Sequence, residues 1–170
     1  MQESDPEAVW VMQGWMFYFA QDYWKLPQAE ALLTSVPQGS LIILDLDSTE
    51  HPQYERLENY FGQPFIFNML DNFDGNMGLY GRVEDVITRP KKARQNAQNM
   101  IGTGLTPEGI FTNYVMYDLM SEMGWSMSDL ISVENLEYWL AQFANRRYGL
   151  NSSGQSQLAK DGLILLGHTV

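Results

Sequence analysis

The sequence predicts an α/β protein built on a parallel, buried sheet. Three observations predict it. Short apolar runs alternate with segments of helical spacing from residue 9 to residue 123. Leu41-Ile42-Ile43-Leu44 is a continuous apolar run ending in Asp45, as expected of a strand covered on both faces. Polar and aromatic residues gather just after each run, and parallel α/β folds bind ligands at the carboxyl ends of their strands. The pattern fits an α/β barrel or an open α/β sheet.

Taken in order, Val9-Trp10-Val11-Met12 reads as the first strand, followed by Gln13-Gly14-Trp15. Leu26 to Val36 reads as a helix, with Pro27 near its start and Pro37 ending it. Leu41 to Leu44 is the second strand, followed by Asp45-Leu46-Asp47, and Gln53 to Tyr60 reads as a short helix. Pro64 to Leu70 is the third strand, followed by Asp71 to Asn76, whose composition suits a turn better than a calcium loop. Leu79 to Gln98 reads as helical but broken near Pro90. Met100 to Thr103 is the fourth strand. Ile110 to Met123 is a helix, with Val115, Leu119, Met120 and Met123 at helical spacing and Gly124 stopping it. Beyond Trp125 two helices follow without a strand between them, Val133 to Tyr148 and Gln155 to Leu166.

Composition bounds the function. A net charge of −11 repels phosphate backbones and argues against nucleic-acid binding. The absence of cysteine excludes disulfides, thiolate catalysis and thiolate zinc sites. His51 and His168 are too few and too far apart for a histidine-based metal site, so no metal is expected. No apolar stretch approaches the ~20 residues of a membrane helix, and no secretory signal is visible. Asn151-Ser152-Ser153 matches a glycosylation sequon. Aromatic residues make up 13% of the chain, enough to fill a core and still line a pocket for a flat ligand.

One carboxylate stands out. Glu108 lies in Gly102-Thr103-Gly104-Leu105-Thr106-Pro107-Glu108-Gly109, between the fourth strand and a helix. A (β/α) barrel places catalytic acids at such strand ends. Pro107 fixes its own φ and biases Thr106 toward an extended shape, while Gly102, Gly104 and Gly109 permit unusual dihedrals. The competing reading puts Glu108 in the first turn of the following helix, where the dipole favours an acid.

These strand ends, in this order, resemble the alpha-N-acetylglucosaminidases of glycoside hydrolase family 89. The matching segments are Ala8 to Trp15, Leu44-Asp45-Leu46, Gly62 to Ile66 and Asn72-Phe73-Asp74-Gly75-Asn76. They continue with Gly102-Thr103-Gly104, Pro107-Glu108-Gly109 and Arg146-Arg147-Tyr148-Gly149. The resemblance implies a partial (β/α)8 TIM barrel of about four βα units followed by an α-helical segment. Residues 1–128 would be the second half of the barrel, and 129–170 the start of an all-helical domain.

It also implies retaining hydrolysis of terminal α-linked N-acetylglucosamine, as on heparan sulfate, with no cofactor. Glu108 takes the nucleophile position, and Trp15, Leu46, Phe73, Asn72 and Asn76 the substrate-binding positions. The partner is then a glycan ending in N-acetylglucosamine, and the compartment the lysosome or the cell exterior. A retaining mechanism needs two carboxyls ~5–5.5 Å apart, and the family's acid/base Glu matches nothing in Met1 to Val9. The chain alone is therefore expected to be inactive. The alternatives are a non-catalytic carbohydrate-binding remnant and a truncated structural product. Asp74, Asp47 and Thr49 depart from the family pattern, with Asp47 where an aromatic is usual.

Overall fold

The computed structural model describes residues 5, 7–71, 81–110, 112–125, 131–149 and 154–168. Four strands form one parallel sheet in the order β1-β2-β3-β4: Trp10–Gln13, Leu41–Asp45, Phe65–Met69 and Met100–Leu105. The helices between and after them are α1 (Trp15–Phe19), α2 (Leu26–Leu33), α3 (Gln53–Arg56), α4 (Val83–Asn96) and α5 (Tyr114–Trp125). A short 3₁₀ turn, Val133–Asn135, leads into α6 (Leu136–Tyr148), which packs against α7 (Gly154–His168). This is the alternation of a partial barrel followed by helices.

The two central strands are covered as the sequence anticipates. Leu41, Ile43 and Asp45 of β2 are buried, and so are Phe65, Phe67, Asn68 and Met69 of β3. The outer strands behave as edges. Trp10 and Val11 of β1 are 52% and 63% exposed, and Ile101 of β4 is 54% exposed. An apolar groove of about 860 Å³ runs between β1 and α2, lined by Trp10, Met12, Leu32 and Val36. A second, of about 530 Å³, lies between β4 and α5.

Several boundaries differ from the sequence reading, each for a local reason. Helix α4 runs unbroken through Pro90 rather than breaking there. A proline inside a helix costs about 3 kcal/mol; burial of Val83, Val86, Ile87, Pro90 and Ala93 along one face offsets it. Asp85 also bonds Arg82 (2.6 Å) and Arg89 (3.1 Å) across the first turns. Strand β4 extends to Leu105, because Gly104 and Leu105 pair with Asn68 and Met69. Gly104 is thus a strand residue whose role is space: a Cβ there would collide with Asn68 Oδ1. Helix α5 begins at Tyr114 rather than Ile110, where Asn113 Oδ1 accepts the Val115 N–H (3.2 Å), and it continues through Gly124. Helix α1, unforeseen in sequence, turns Phe17 into the core.

The segment read as one helix from Gln53 to Tyr60 is two turns of opposite hand. After α3, residues Glu58, Asn59, Tyr60 and Phe61 all have φ between 50° and 53°. Four consecutive left-handed non-glycine residues are costly, and tertiary contacts hold them. The Tyr60 ring is fully buried against Phe17 and Phe65. Asn99 Nδ2 donates to Asn59 O (2.7 Å), and Gln63 Nε2 donates to Leu33 O (2.8 Å). The helical segment joins the same core. Leu136, Trp139, Leu140 and Phe143 of α6 pack into it, and Trp139 Nε1 donates to Glu122 on α5 (2.7 Å).

Asp45 closes β2 and starts α3. Its carboxylate accepts the Gln53 N–H (3.0 Å) and the Tyr54 N–H (3.0 Å). Burial pushes its pKa up to about 7 from an ordinary 3.8, against the lowering effect of those bonds. Below about pH 4 the carboxyl is protonated in both states. Between about pH 4 and 7 the folded state keeps a proton that the unfolded state releases, so this group's contribution to stability falls as pH rises. The slope is on the order of 1 kcal/mol per pH unit. Asp45→Asn removes that slope. Urea unfolding should therefore show the substitution costing more at pH 4.5 than at pH 7, and an equal cost at both would contradict it.

Candidate functional site

The carboxyl ends of all four strands meet at one cleft of about 470 Å³, lined by Gln13, Trp15, Leu46, Leu70, Thr106, Pro107 and Glu108. Each wall follows from local structure. The Gly14 N–H donates to Leu44 O (2.8 Å), so the chain leaves β1 close against β2 and presents Trp15 at the head of α1. Leu46 follows the buried Asp45 directly. The backbone there is pinned by Ser48, whose N–H donates to Asn68 O (2.9 Å) and whose hydroxyl donates to Asp45 O (2.8 Å).

Thr106 ties three strand ends together. Its N–H donates to Met69 O (3.0 Å), and its hydroxyl donates to Leu46 O (2.8 Å) with Met69 O at 3.1 Å. Pro107 and Glu108 come next, so the loop carrying the carboxylate is anchored to β2 and β3 at its root. Gly109 then adopts φ 78°, a left-handed value that glycine takes without strain. Of the three glycines around Glu108, Gly109 uses that freedom, while Gly104 serves close packing.

Glu108 is exposed on the β4–α5 loop and sits well before α5. The helix-capping reading of Glu108 therefore fails. Trp15, Leu46 and Glu108 come together as the sequence suggests. Phe73, Asn72 and Asn76 lie outside the described residues, and the third strand enters the cleft through Leu70. Sequence reasoning missed Thr106 as a cross-strand anchor; its signal was a hydroxyl directly before Pro-Glu at a strand end.

Asp47 and His51 border the site. Asp47 is 9% exposed, and its Oδ2 lies 2.6 Å from His51 Nδ1. Burial raises the Asp47 pKa to about 6, and His51 pulls it back down by hydrogen bond and charge. Asp47 is thus held by a histidine four residues on. Among the described residues, no group of three or more His, Asp or Glu converges as a metal site would. No helix among them is long and apolar enough to cross a membrane.

Comparison with known proteins gives this geometry a context. Residues 1–127 match the alpha-N-acetylglucosaminidase (NAGLU) tim-barrel domain. Human alpha-N-acetylglucosaminidase is 45% identical over 152 residues, covering 89% of this chain and 20% of that protein. A family 89 glycoside hydrolase from Clostridium perfringens, solved with 2-acetamido-1,2-dideoxynojirmycin, superposes with a TM-score of 0.73. It is 33% identical over 92% of this chain and 16% of that one. The same figures hold for a variant of the Clostridium enzyme with two Glu→Gln substitutions, in complex with its substrate GlcNAc-alpha-1,4-galactose. The chain spans about a fifth of the human relative's length. With a matching barrel segment, a shared sheet topology and 45% identity to a curated member, this chain belongs to the alpha-N-acetylglucosaminidase family, glycoside hydrolase family 89.

Proposed function

We propose that this chain carries one side of the active centre of a retaining α-N-acetylglucosaminidase, with Glu108 as the nucleophile. Trp15, Leu46 and Phe73 form the sugar-binding wall, with Asn72 and Asn76 as polar contacts. The observation that carries the reading is the cleft shared by Trp15, Leu46 and Glu108 at the carboxyl ends of parallel strands. The substrate class is a glycan ending in α-linked N-acetylglucosamine, the sugar on which the Clostridium relative was captured. The family reading extends to a lysosomal or secreted setting, and to a division at residues 128 and 129 between barrel and helical domain.

Retention requires a carboxylate to attack the anomeric carbon and a carboxylic acid to protonate the leaving oxygen. Among the described residues lining the cleft, Glu108 is the one carboxylate. The acid/base group in this proposal comes from outside residues 1–170, so the isolated chain is catalytically silent. The two edge grooves support that view, since in a closed barrel such grooves are filled by adjoining βα units. The test compares residues 1–170 with a version joined to the family's upstream half-barrel, assaying an aryl α-N-acetylglucosaminide and following the product anomer. The joined form should release the α-anomer first, and the short form should release none. Ordinary turnover by residues 1–170 would overturn the assignment of the acid/base.

A further inference from the structure

The cleft has an aromatic wall whose support runs out to a titratable pair. Trp15 and Tyr18 lie three residues apart on α1, and their ring centroids are 4.9 Å apart. The Tyr18 ring also meets the His51 imidazole, with centroids 4.6 Å apart. His51 in turn is held by Asp47 at 2.6 Å. Helix α1 has five residues and no side-chain hydrogen bond at its N-cap, and the Trp15–Tyr18 ring contact couples the directions of these two side chains. The His51 side chain is 46% exposed and needs an anchor to stay against Tyr18. Asp47 supplies it, while its own Oδ1 is buried with no hydrogen-bond partner among the described residues.

We propose that the Asp47–His51 pair is a positioning element for the Trp15 indole, acting through Tyr18, so that protonation of the pair changes the sugar-facing wall of the cleft. The role assigned to that wall rests on the function proposed above; the coupling itself does not. When the pair is a carboxylate and an imidazolium, each charge compensates the other and the imidazole ring is locked against Tyr18. Losing either charge leaves a weaker, neutral-assisted hydrogen bond and a looser ring. Burial already brings Asp47 up to about 6, so its change of state falls between mildly acidic and neutral pH. Among the described residues, the other groups facing the pair are Glu50 on the same turn, whose charge raises Asp47, and Tyr18 from α1. Arg89 on α4 donates to the Glu50 carbonyl (3.3 Å).

The test is a ¹H–¹⁵N NMR titration of the 170-residue chain from pH 4.5 to 8, with no sugar present. The Trp15 indole resonance is identified by its loss in Trp15→Phe, and the His51 ring resonances by their loss in His51→Gln. The Trp15 indole should shift in step with the His51 ring resonances as Asp47 changes state. Asp47→Asn removes the anchor at His51 Nδ1, so the His51 ring resonances should move and those of Trp15 should move with them. Tyr18→Leu should leave the response of the Asp47–His51 pair in place and abolish that of Trp15. A Trp15 resonance that stays flat while the pair responds, or one that still moves in Tyr18→Leu, would overturn the proposal. Adding N-acetylglucosamine separates the two claims. Tracking of the pair with no sugar-induced shift at Trp15 would keep the coupling and remove the sugar-wall reading.

Discussion

Glu108→Gln, made in an enzyme that contains both halves of the barrel, should lower turnover by roughly 10³-fold or more while leaving stability nearly unchanged. The chemistry sets the size. An amide is a poor nucleophile toward an anomeric carbon, so the covalent glycosyl-enzyme step is lost, and removal of a nucleophile costs several orders of magnitude. A 10³-fold loss corresponds to about 4 kcal/mol of transition-state stabilisation. The small stability effect follows from exposure on the β4–α5 loop, since surface substitutions usually fall within about 0.5 kcal/mol. Steady-state kinetics on an aryl α-N-acetylglucosaminide, paired with a thermal melt, checks both halves. Turnover near that of the wild type would remove Glu108 from the nucleophile position.

Tyr60→Ala is expected to be the most damaging single change to the fold. It empties a fully buried aromatic site between Phe17 and Phe65, for which about 3–5 kcal/mol is the usual loss. A domain is stable by only about 5–15 kcal/mol, so most of the margin is at stake. The ring also anchors the left-handed turn at Glu58 to Phe61, where each non-glycine residue is strained by about 1–2 kcal/mol. The same strain predicts an opposite outcome at the exposed Glu58. Glu58→Gly should raise stability, by up to about 1 kcal/mol, because glycine adopts φ near 50° freely. Chemical denaturation of both variants is the measurement. If Glu58→Gly lowers stability, the turn is not under strain and the argument for Tyr60 as its clamp loses its second leg.

The elements most legible in sequence were those governed by local pattern. The run Leu41 to Leu44 ending in Asp45 announced a central strand, because a strand covered on both faces has no reason to alternate. Pro64 to Leu70 announced its strand in the same way, and the short apolar pair Met100-Ile101 marked the start of the fourth. Order and spacing of Trp15, Leu46 and Glu108 announced a shared site, because parallel strands joined by helices all point their carboxyl ends to one side.

What local pattern misplaced were positions where distant atoms outweigh local preference. Pro90 should break a helix, yet buried contacts along one face of α4 carry the helix through it. Gly104 looked like a turn glycine, and only the approach of Asn68 from β3 shows that it is a strand residue kept small. Glu58 to Phe61 carries no glycine and no sequence mark of a left-handed turn; the burial of Tyr60 and the amides of Asn99 and Gln63 impose it.

By itself, then, the sequence determined the alternation, the parallel sheet and the order of site residues, because periodicity and apolar runs act over a few neighbouring residues. Tertiary structure alone decided the rest. It placed Thr106 across to Leu46, sixty residues away in the chain, and gave four residues the wrong hand to bury one ring. It also set the Asp47–His51 pair behind Tyr18 and Trp15. Each of these depends on a hydrogen bond or ring contact between elements, and such contacts leave no period in the sequence to read.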